Sequence, residues 1–362
     1  MSDELFARKL LERAGIEVGG PNPYDIHVYD PRFYPRALTE GSLGLGEGYM
    51  QHWWDCEDLA EFFNRVLRAN LPDHIGLSAQ ASWLALRSKL FNLQSRARAA
   101  MVAHEHYDLP SEIYDATLDE THGYTCGLWD EEITTLEEAQ IAKYDRACRN
   151  LGLKEGDRLL DIGFGWAGLM AHAKKEYGAV PTGISMSEGQ TAWARRRYKD
   201  MPMDFRIQDY RSLEGEFDHV ASIEMIEAVG RKYLRTYFRS VHKVLVPKGK
   251  FVLQAIVGQK QNQPAADTWI EKYIFRNGEL PTLPLIFQAS HGLFNTLSVD
   301  MFGHHYDKTL LAWNRRFQAK RSQLKERFGE PFCRMWEYYL LSCAGAYRAE
   351  DISVGQITFE AR

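Results

Sequence analysis

Apolar residues recur every three to four positions over Leu5–Ala14, Leu59–Asn70 and Leu136–Leu151, the spacing of amphipathic helices. The first 95 residues read as mostly helical with turns, with a short strand near Ile26–Tyr29 and a further helical stretch over about 71–104. From about residue 135 the pattern changes. Short apolar runs at Arg158–Ile162, Val180–Ile184, Phe205–Gln208, Phe217–Ile223 and Lys250–Val257 alternate with helical periods at Ala167–Tyr177, Glu188–Lys199 and Arg231–Leu245. Strands separated by helices of this length predict a parallel, doubly wound sheet. Residues 262–300 interrupt the alternation with aromatics, glycines, Pro281 and Pro284, and are expected to form an inserted lid. A helical region from Lys308 to Ala349, broken near Gly329-Glu330-Pro331, precedes an alternating last strand at Ile352–Phe359. The expected organisation is a helical domain over 1–95 and an α/β domain over 96–362.

The first strand of the repeat runs into Leu159-Leu160-Asp161-Ile162-Gly163-Phe164-Gly165-Trp166-Ala167-Gly168. Gly163 and Gly165 permit a tight turn and close approach of a ligand to the backbone. Such a turn at the carboxyl edge of a parallel sheet is where nucleotide-like cofactors bind. The glycine spacing also fits a dinucleotide fingerprint. Two details favour S-adenosylmethionine instead: Asp161 stands directly before the glycines, and the second strand ends in Ser185-Met186-Ser187 rather than in an acid. Glu188 reads as a first-turn residue behind a Ser187 cap. Gly41–Gly48 is glycine-rich but lacks the Lys-Ser/Thr of a phosphate loop.

A net charge of −5 gives no sign of a nucleic-acid partner. The five cysteines form no C-x-x-C pair, which fits a reducing compartment and no metal site. The acidic start lacks a signal-peptide core, and no apolar run is long enough for a transmembrane helix. Arg87, Lys89, Arg96 and Arg98 alternate with Leu86, Leu90, Phe91 and Leu93, a pattern compatible with an anionic lipid surface or with a solvated helix face.

Several segments together resemble the cyclopropane-fatty-acyl-phospholipid synthases. They are Glu40–Trp54, Glu105–Leu109, Tyr124-Thr125-Cys126, Leu159–Gly168, Gln208–Arg211, Asp267–Phe275, Tyr306–Trp313 and Cys343–Arg348. The resemblance spans nearly the whole chain and implies a Rossmann-like class I methyltransferase sheet. Its Glu40–Trp54 segment points to the phospholipid-acting branch. The implied reaction transfers a methyl from S-adenosylmethionine to a cis double bond of an acyl chain, and proton loss from that methyl closes the ring. The resemblance also implies a bicarbonate base and a cytoplasmic homodimer acting on unsaturated phospholipid at the inner face of the membrane. Trp269, Tyr273, Ile274 and Phe275 are the expected lining of an acyl slot.

The resemblance adds Tyr124, Thr125, Ser185, Gln190, Tyr210 and Arg211 to Asp161, Gly163 and Gly165 as cofactor residues. It places Cys126, Glu227, Ile256 and Tyr306 around the bicarbonate. Gln190 is expected to reach ribose and Tyr210 to lie along adenine. Three positions depart from the family pattern. Gln254 stands where a histidine is usual, Ala228 follows Glu227 in place of another histidine, and Phe164 replaces a cysteine. Gln254 can donate a hydrogen bond to an anion but cannot transfer a proton. Glu224 lies three residues before Glu227, a spacing that would share one helical face. Two close carboxylates would raise one pKa and could create a protein base. The open alternatives are a methylene-branched, methyl-branched or hydroxylated product, or a lipid-binding homologue without catalysis.

Overall fold

In the computed structural model, residues 2–74, 110–259, 267–276 and 278–362 are described. The basic stretch at Arg87–Arg98, the Glu105–Leu109 motif and the expected boundary at residues 95–96 lie outside them. The chain divides into two units that are discontinuous in sequence. One comprises Met1–Asn92, Gln259–Arg276 and Tyr306–Ile352, and the other Leu93–Gly258, Asn277–His305 and Ser353–Arg362.

The first unit is mainly helical, with a two-stranded antiparallel ribbon of β1 (His27–Val28) and β2 (Trp54–Asp55). Its helix Glu330–Arg348 packs on Leu59–Arg68 at close range. A Cβ on Gly345 would stand 2.5 Å from the Ala60 carbonyl oxygen and 2.5 Å from the Phe63 Cβ, so glycine sets the approach. The glycine-rich run is a helix, Ser42–Met50, rather than a ligand loop. Glycine weakens a helix in isolation, but here it admits neighbours: a Cβ on Gly46 would lie 2.3 Å from the Trp269 ring. Glu47 on that helix is buried and held by Arg36, Lys272 and the Tyr273 hydroxyl.

The second unit carries a seven-stranded sheet in the order β5-β4-β3-β6-β7-β9-β8. These are β3 (Arg158–Ile162), β4 (Val180–Ser185), β5 (Asp204–Ile207), β6 (Phe217–Ile223), β7 (Leu245–Gly258), β8 (Phe294–Met301) and β9 (Ile352–Ala361). The pairs β5–β4, β4–β3, β3–β6 and β6–β7 are parallel, while β8 and β9 pair antiparallel, so the sheet is mixed. The core on one face joins Leu160, Ile162, Val220, Phe251 and Leu253 to Tyr237, Phe238 and Val241 of helix Leu234–Val244. The stretch expected as a lid is divided. Thr268–Tyr273 and Leu283–Ser290 are helices, and Phe294–Met301 is the outermost strand. Trp269, expected toward an acyl slot, is fully buried against Gly46 and Tyr338. Phe275 packs on Tyr339 and Tyr273 is tied to Glu47, so these aromatics build their own unit.

Candidate active site

Strands β5, β4, β3 and β6 end side by side, and the expected cofactor residues collect at that carboxyl edge. Asp161 is the penultimate residue of β3 and is 2 % exposed. Burial pushes its carboxyl up to about 7, against the pull of the buried Lys143 ammonium. Gly163 and Gly165 follow with φ of +80° and +53°, the left-handed region that glycine enters at least cost. A Cβ on Gly163 would strike Met225 at 2.5 Å, while Gly165 faces open space. Phe164 between them packs on Phe205.

At the end of β4 the Ser185 Oγ accepts the Ser187 N–H at 3.1 Å, and Ser187 caps the helix Glu188–Arg197 by accepting the Gln190 N–H at 3.1 Å. Gln190 is buried in that first turn. After β5, Arg211 is held by Asp209, its backbone N–H and Nε each donating to Oδ1 at 2.8 Å. Tyr210 sets its ring edge against Tyr237 at 5.3 Å, and burial pushes its hydroxyl up to about 12. Tyr124 packs edge-on against Tyr114.

This edge fits S-adenosylmethionine. The open face at Gly165 admits a ligand, and Asp161 is a buried carboxylate whose ionised form an ammonium would stabilise.

A second cluster adjoins it, around the ends of β6 and β7. Ile223 and Gln254 are register partners, so the residue after Ile223 is delivered beside Gln254. That residue is Glu224, at φ +51°, a conformation uncommon for a non-glycine residue. It is therefore not on one helical face with Glu227, which sits in the short 3-10 turn Ile226–Ala228. Glu224 Oε1 accepts the Cys126 N–H at 3.0 Å and the Gln254 Nε2–H at 2.7 Å. Glu227 Oε1 accepts the Ile256 N–H at 2.6 Å. Its Oε2 is buried with no hydrogen-bond partner among the described residues. Burial first and Glu224 second push the Glu227 carboxyl up to about 8. Cys126 contributes its backbone N–H, while its thiol points to the Gly127 carbonyl at 3.3 Å.

Bicarbonate does not fit this cluster as built. The Cys126 and Gln254 donors that would hold an anion already serve Glu224 and the Ile256 N–H serves Glu227, so an added anion would lack these donors and face the Glu224 carboxylate. Tyr306 belongs to the first unit, where it stacks on Tyr347 with centroids 4.5 Å apart.

The sequence reading missed Lys143. It is fully buried on helix Leu136–Leu151, donating to Thr125 Oγ1 at 2.6 Å and to Gln140 Oε1. Burial pushes its ammonium down to about 8, against the attraction of Glu224, Asp119, Cys126 and Asp161. The signal was present: Gln140 and Lys143 occupy the helix stripe shared with Leu136, Ala139 and Ala147, where apolar residues are expected.

Comparison with known proteins follows the same lines. The family model for mycolic acid cyclopropane synthetase matches residues 94–357. The cyclopropane-fatty-acyl-phospholipid synthase of Escherichia coli K12 is 42% identical over 354 residues, covering 98% of this chain and 92% of that protein. The tuberculostearic acid methyltransferase UfaA1 of Mycobacterium tuberculosis is 30% identical, covering 97% and 87%. Among solved structures, the mycolic acid cyclopropane synthase CmaA1, complexed with S-adenosylhomocysteine (SAH) and CTAB, aligns with a TM-score of 0.67 and 28% identity, covering 72% of this chain and 98% of that one.

Proposed function

The chain belongs to the mycolic acid cyclopropane synthetase family, and on that premise we propose that it cyclopropanates unsaturated phospholipid acyl chains with S-adenosylmethionine as donor. The observation that carries this reading is the similarity to the Escherichia coli phospholipid enzyme over 98% of the chain. That similarity extends through the N-terminal residues, which precede the start of the family match at residue 94.

S-adenosylmethionine supplies an electrophilic methyl, which an alkene, a poor nucleophile, requires. The protein's residues position and shield it. Asp161 takes the ammonium of the amino acid portion. The Gly163–Gly165 turn lets the backbone close on the ligand. Ser185, Gln190, Tyr210 and Arg211 lie at the neighbouring strand ends for the nucleoside. Holding donor and alkene together in a site without bulk water converts a bimolecular encounter into an oriented one. Methyl transfer leaves a carbocation on the acyl chain, and loss of a proton from the new methyl closes the ring. Tyr124, Thr125 and Cys126 precede the cluster where that proton would be received, and Lys143 supports Thr125 from beneath.

We place the protein as a homodimer that meets the inner face of the membrane peripherally. The family resemblance supports this, and no helix among the described residues is long and apolar enough to cross a membrane. A second reading, methylation without ring closure, is favoured by the similarity to a relative named as a methyltransferase rather than a cyclopropane synthase.

Mass spectrometry of dioleoyl phospholipid vesicles incubated with the protein and methyl-labelled S-adenosylmethionine separates these readings. A gain of one labelled CH2 that resists hydrogenation is the expected result. A product that takes up hydrogen, or one carrying a saturated methyl branch, replaces the first reading with the second.

A further inference from the structure

The proton lost at ring closure needs an acceptor placed against the new methyl. Donors from the Cys126 loop and from β7 converge on one atom, Glu224 Oε1, which takes the Cys126 N–H at 3.0 Å and the Gln254 Nε2–H at 2.7 Å. A carboxylate has the same two-oxygen acceptor geometry as bicarbonate, and this one is tethered to the chain.

The surroundings of Glu224 hold it in place. Its backbone N–H donates to the Gln254 carbonyl at 2.8 Å, pinning the left-handed turn that aims the side chain into the cluster. The direction of the Gln254 amide is set behind it. Gln254 Oε1 accepts Gln356 Nε2–H at 3.3 Å, and Gln356 Oε1 accepts Asn150 Nδ2–H at 2.6 Å. Each amide therefore donates forward, and the last N–H in the row points at Glu224.

The two glutamates are not equivalent. Glu224 accepts two N–H groups on one oxygen and is attracted by the Lys143 ammonium. Glu227 accepts one N–H and buries its other oxygen without a partner among the described residues. Hydrogen bonds and positive charge favour the ionised form, and burial without them favours the neutral one. The pair thus presents Glu224 as carboxylate and Glu227 as acid, with Glu227 pushed up to about 8. A proton on a methyl bonded next to a carbocation is very acidic, so an ordinary carboxylate is basic enough and placement decides the rate.

We propose that Glu224 is the base for ring closure in this protein, a built-in carboxylate doing the work otherwise assigned to bicarbonate. The inference rests on the cyclopropanation reading. As the methyl C–H bond breaks, its electron pair forms the third carbon–carbon bond of the ring and neutralises the cation. The proton passes to Glu224 and then to solvent. The methyl's former bonding pair has already left with sulfur as the neutral thioether.

The test uses the full-length protein on dioleoyl phosphatidylethanolamine and phosphatidylglycerol vesicles, in buffer freed of carbon dioxide and then with bicarbonate restored. The wild type is expected to turn over at the same rate in both. Glu224→Gln is expected to lose about 10²–10⁴-fold, the usual contribution of a positioned general base. Calorimetric titration with SAH checks the fold of that variant, and its affinity is expected to match the wild type. Partial rescue of Glu224→Ala by bicarbonate or formate supports the assignment directly. A wild-type rate that collapses on bicarbonate removal, or a Glu224→Gln variant within a few-fold of wild type, overturns it while leaving cyclopropanation standing. A wild type that binds SAH but adds no carbon to the vesicle lipid removes both.

Discussion

Gln254 donates its side-chain N–H to Glu224 Oε1 at 2.7 Å, and the same two residues are joined again through the Glu224 backbone N–H and the Gln254 carbonyl at 2.8 Å. This double link makes the end of β7 the support for a carboxylate that β6 delivers. Its orientation depends on Gln356, which satisfies the other end of the Gln254 amide. Replacing Gln356 with Leu would leave buried polar groups unpaired, at a cost of about 1–3 kcal/mol in stability. It would also free the Gln254 amide to turn. We expect kcat to fall by up to about 10²-fold, the cost of misplacing a reacting group by about 1 Å, with little change in KM for S-adenosylmethionine. Steady-state kinetics and denaturant unfolding would separate the two effects.

Glu227 gives a pH dependence with a defined sign. Its carboxyl is raised from an ordinary 4.5 to about 8 in the folded protein. Between those values the native state holds a proton that the unfolded state has lost, so this group's contribution to stability declines as pH rises. Above about 8 a second carboxylate would ionise beside Glu224. We expect activity to fall on that alkaline limb and the limb to flatten in Glu227→Gln, whose neutral amide can still accept the Ile256 N–H. A pH–rate profile of the two proteins checks this; an unchanged limb in the variant would assign it to another group.

Asp161 should couple ligand binding to a proton. In the ligand-free protein its carboxyl is raised to about 7, with burial the main cause. The ligand's ammonium favours the carboxylate, so SAH binding just below pH 7 should release a proton, and affinity should weaken as pH falls. Calorimetry in two buffers of different ionisation enthalpy measures the proton count. Asp161→Asn is expected to bind more weakly and without proton release.

Lys143 is the cationic partner common to Asp161 and Glu224. Lys143→Met keeps much of the stem but leaves both buried carboxylates less compensated and Thr125 Oγ1 without its donor at 2.6 Å. The Asp161 carboxyl, which Lys143 holds down, should rise. The expected outcome is a shift of the acidic limb of the pH–rate profile to higher pH by about one unit, the usual size of an opposite-charge effect. A profile displaced only in height would assign Lys143 a packing role.

Gly46→Ala tests the packing of the first unit. The added Cβ would lie 2.3 Å from Trp269 Cδ1, on a ring that is fully buried and cannot move aside. Overpacking of this kind costs about 1–3 kcal/mol. A lowered melting temperature is the expected outcome, and a helix-stabilising gain would show that the indole relaxes.

Local pattern made much of this protein legible. The strand at Arg158–Ile162 and the helix at Leu136–Leu151 follow from side-chain period and from caps, including the reciprocal Thr135–Glu138 box that starts the helix. The turn after Asp161 was legible too, because it depends on residue type next to a strand end, whereas Glu227 and Gln254 were singled out only by the family resemblance. What the sequence could not order was contact between distant segments. Lys143 drew no reading from the sequence, and Trp269 read as the lining of an acyl slot, until the packing buried them. The spacing of Glu224 and Glu227 suggested a shared helix face, whereas a left-handed residue separates them and turns Glu224 toward Cys126 and Gln254. Periodicity specifies which side of an element is apolar, but strand order and register bring β6, β7 and the Cys126 loop together, and those pairings are non-local. The sequence by itself determined the glycine turn after Asp161 and the parallel strands that carry it. Only the tertiary structure decided that the donors for an anion are already occupied by a carboxylate of the chain.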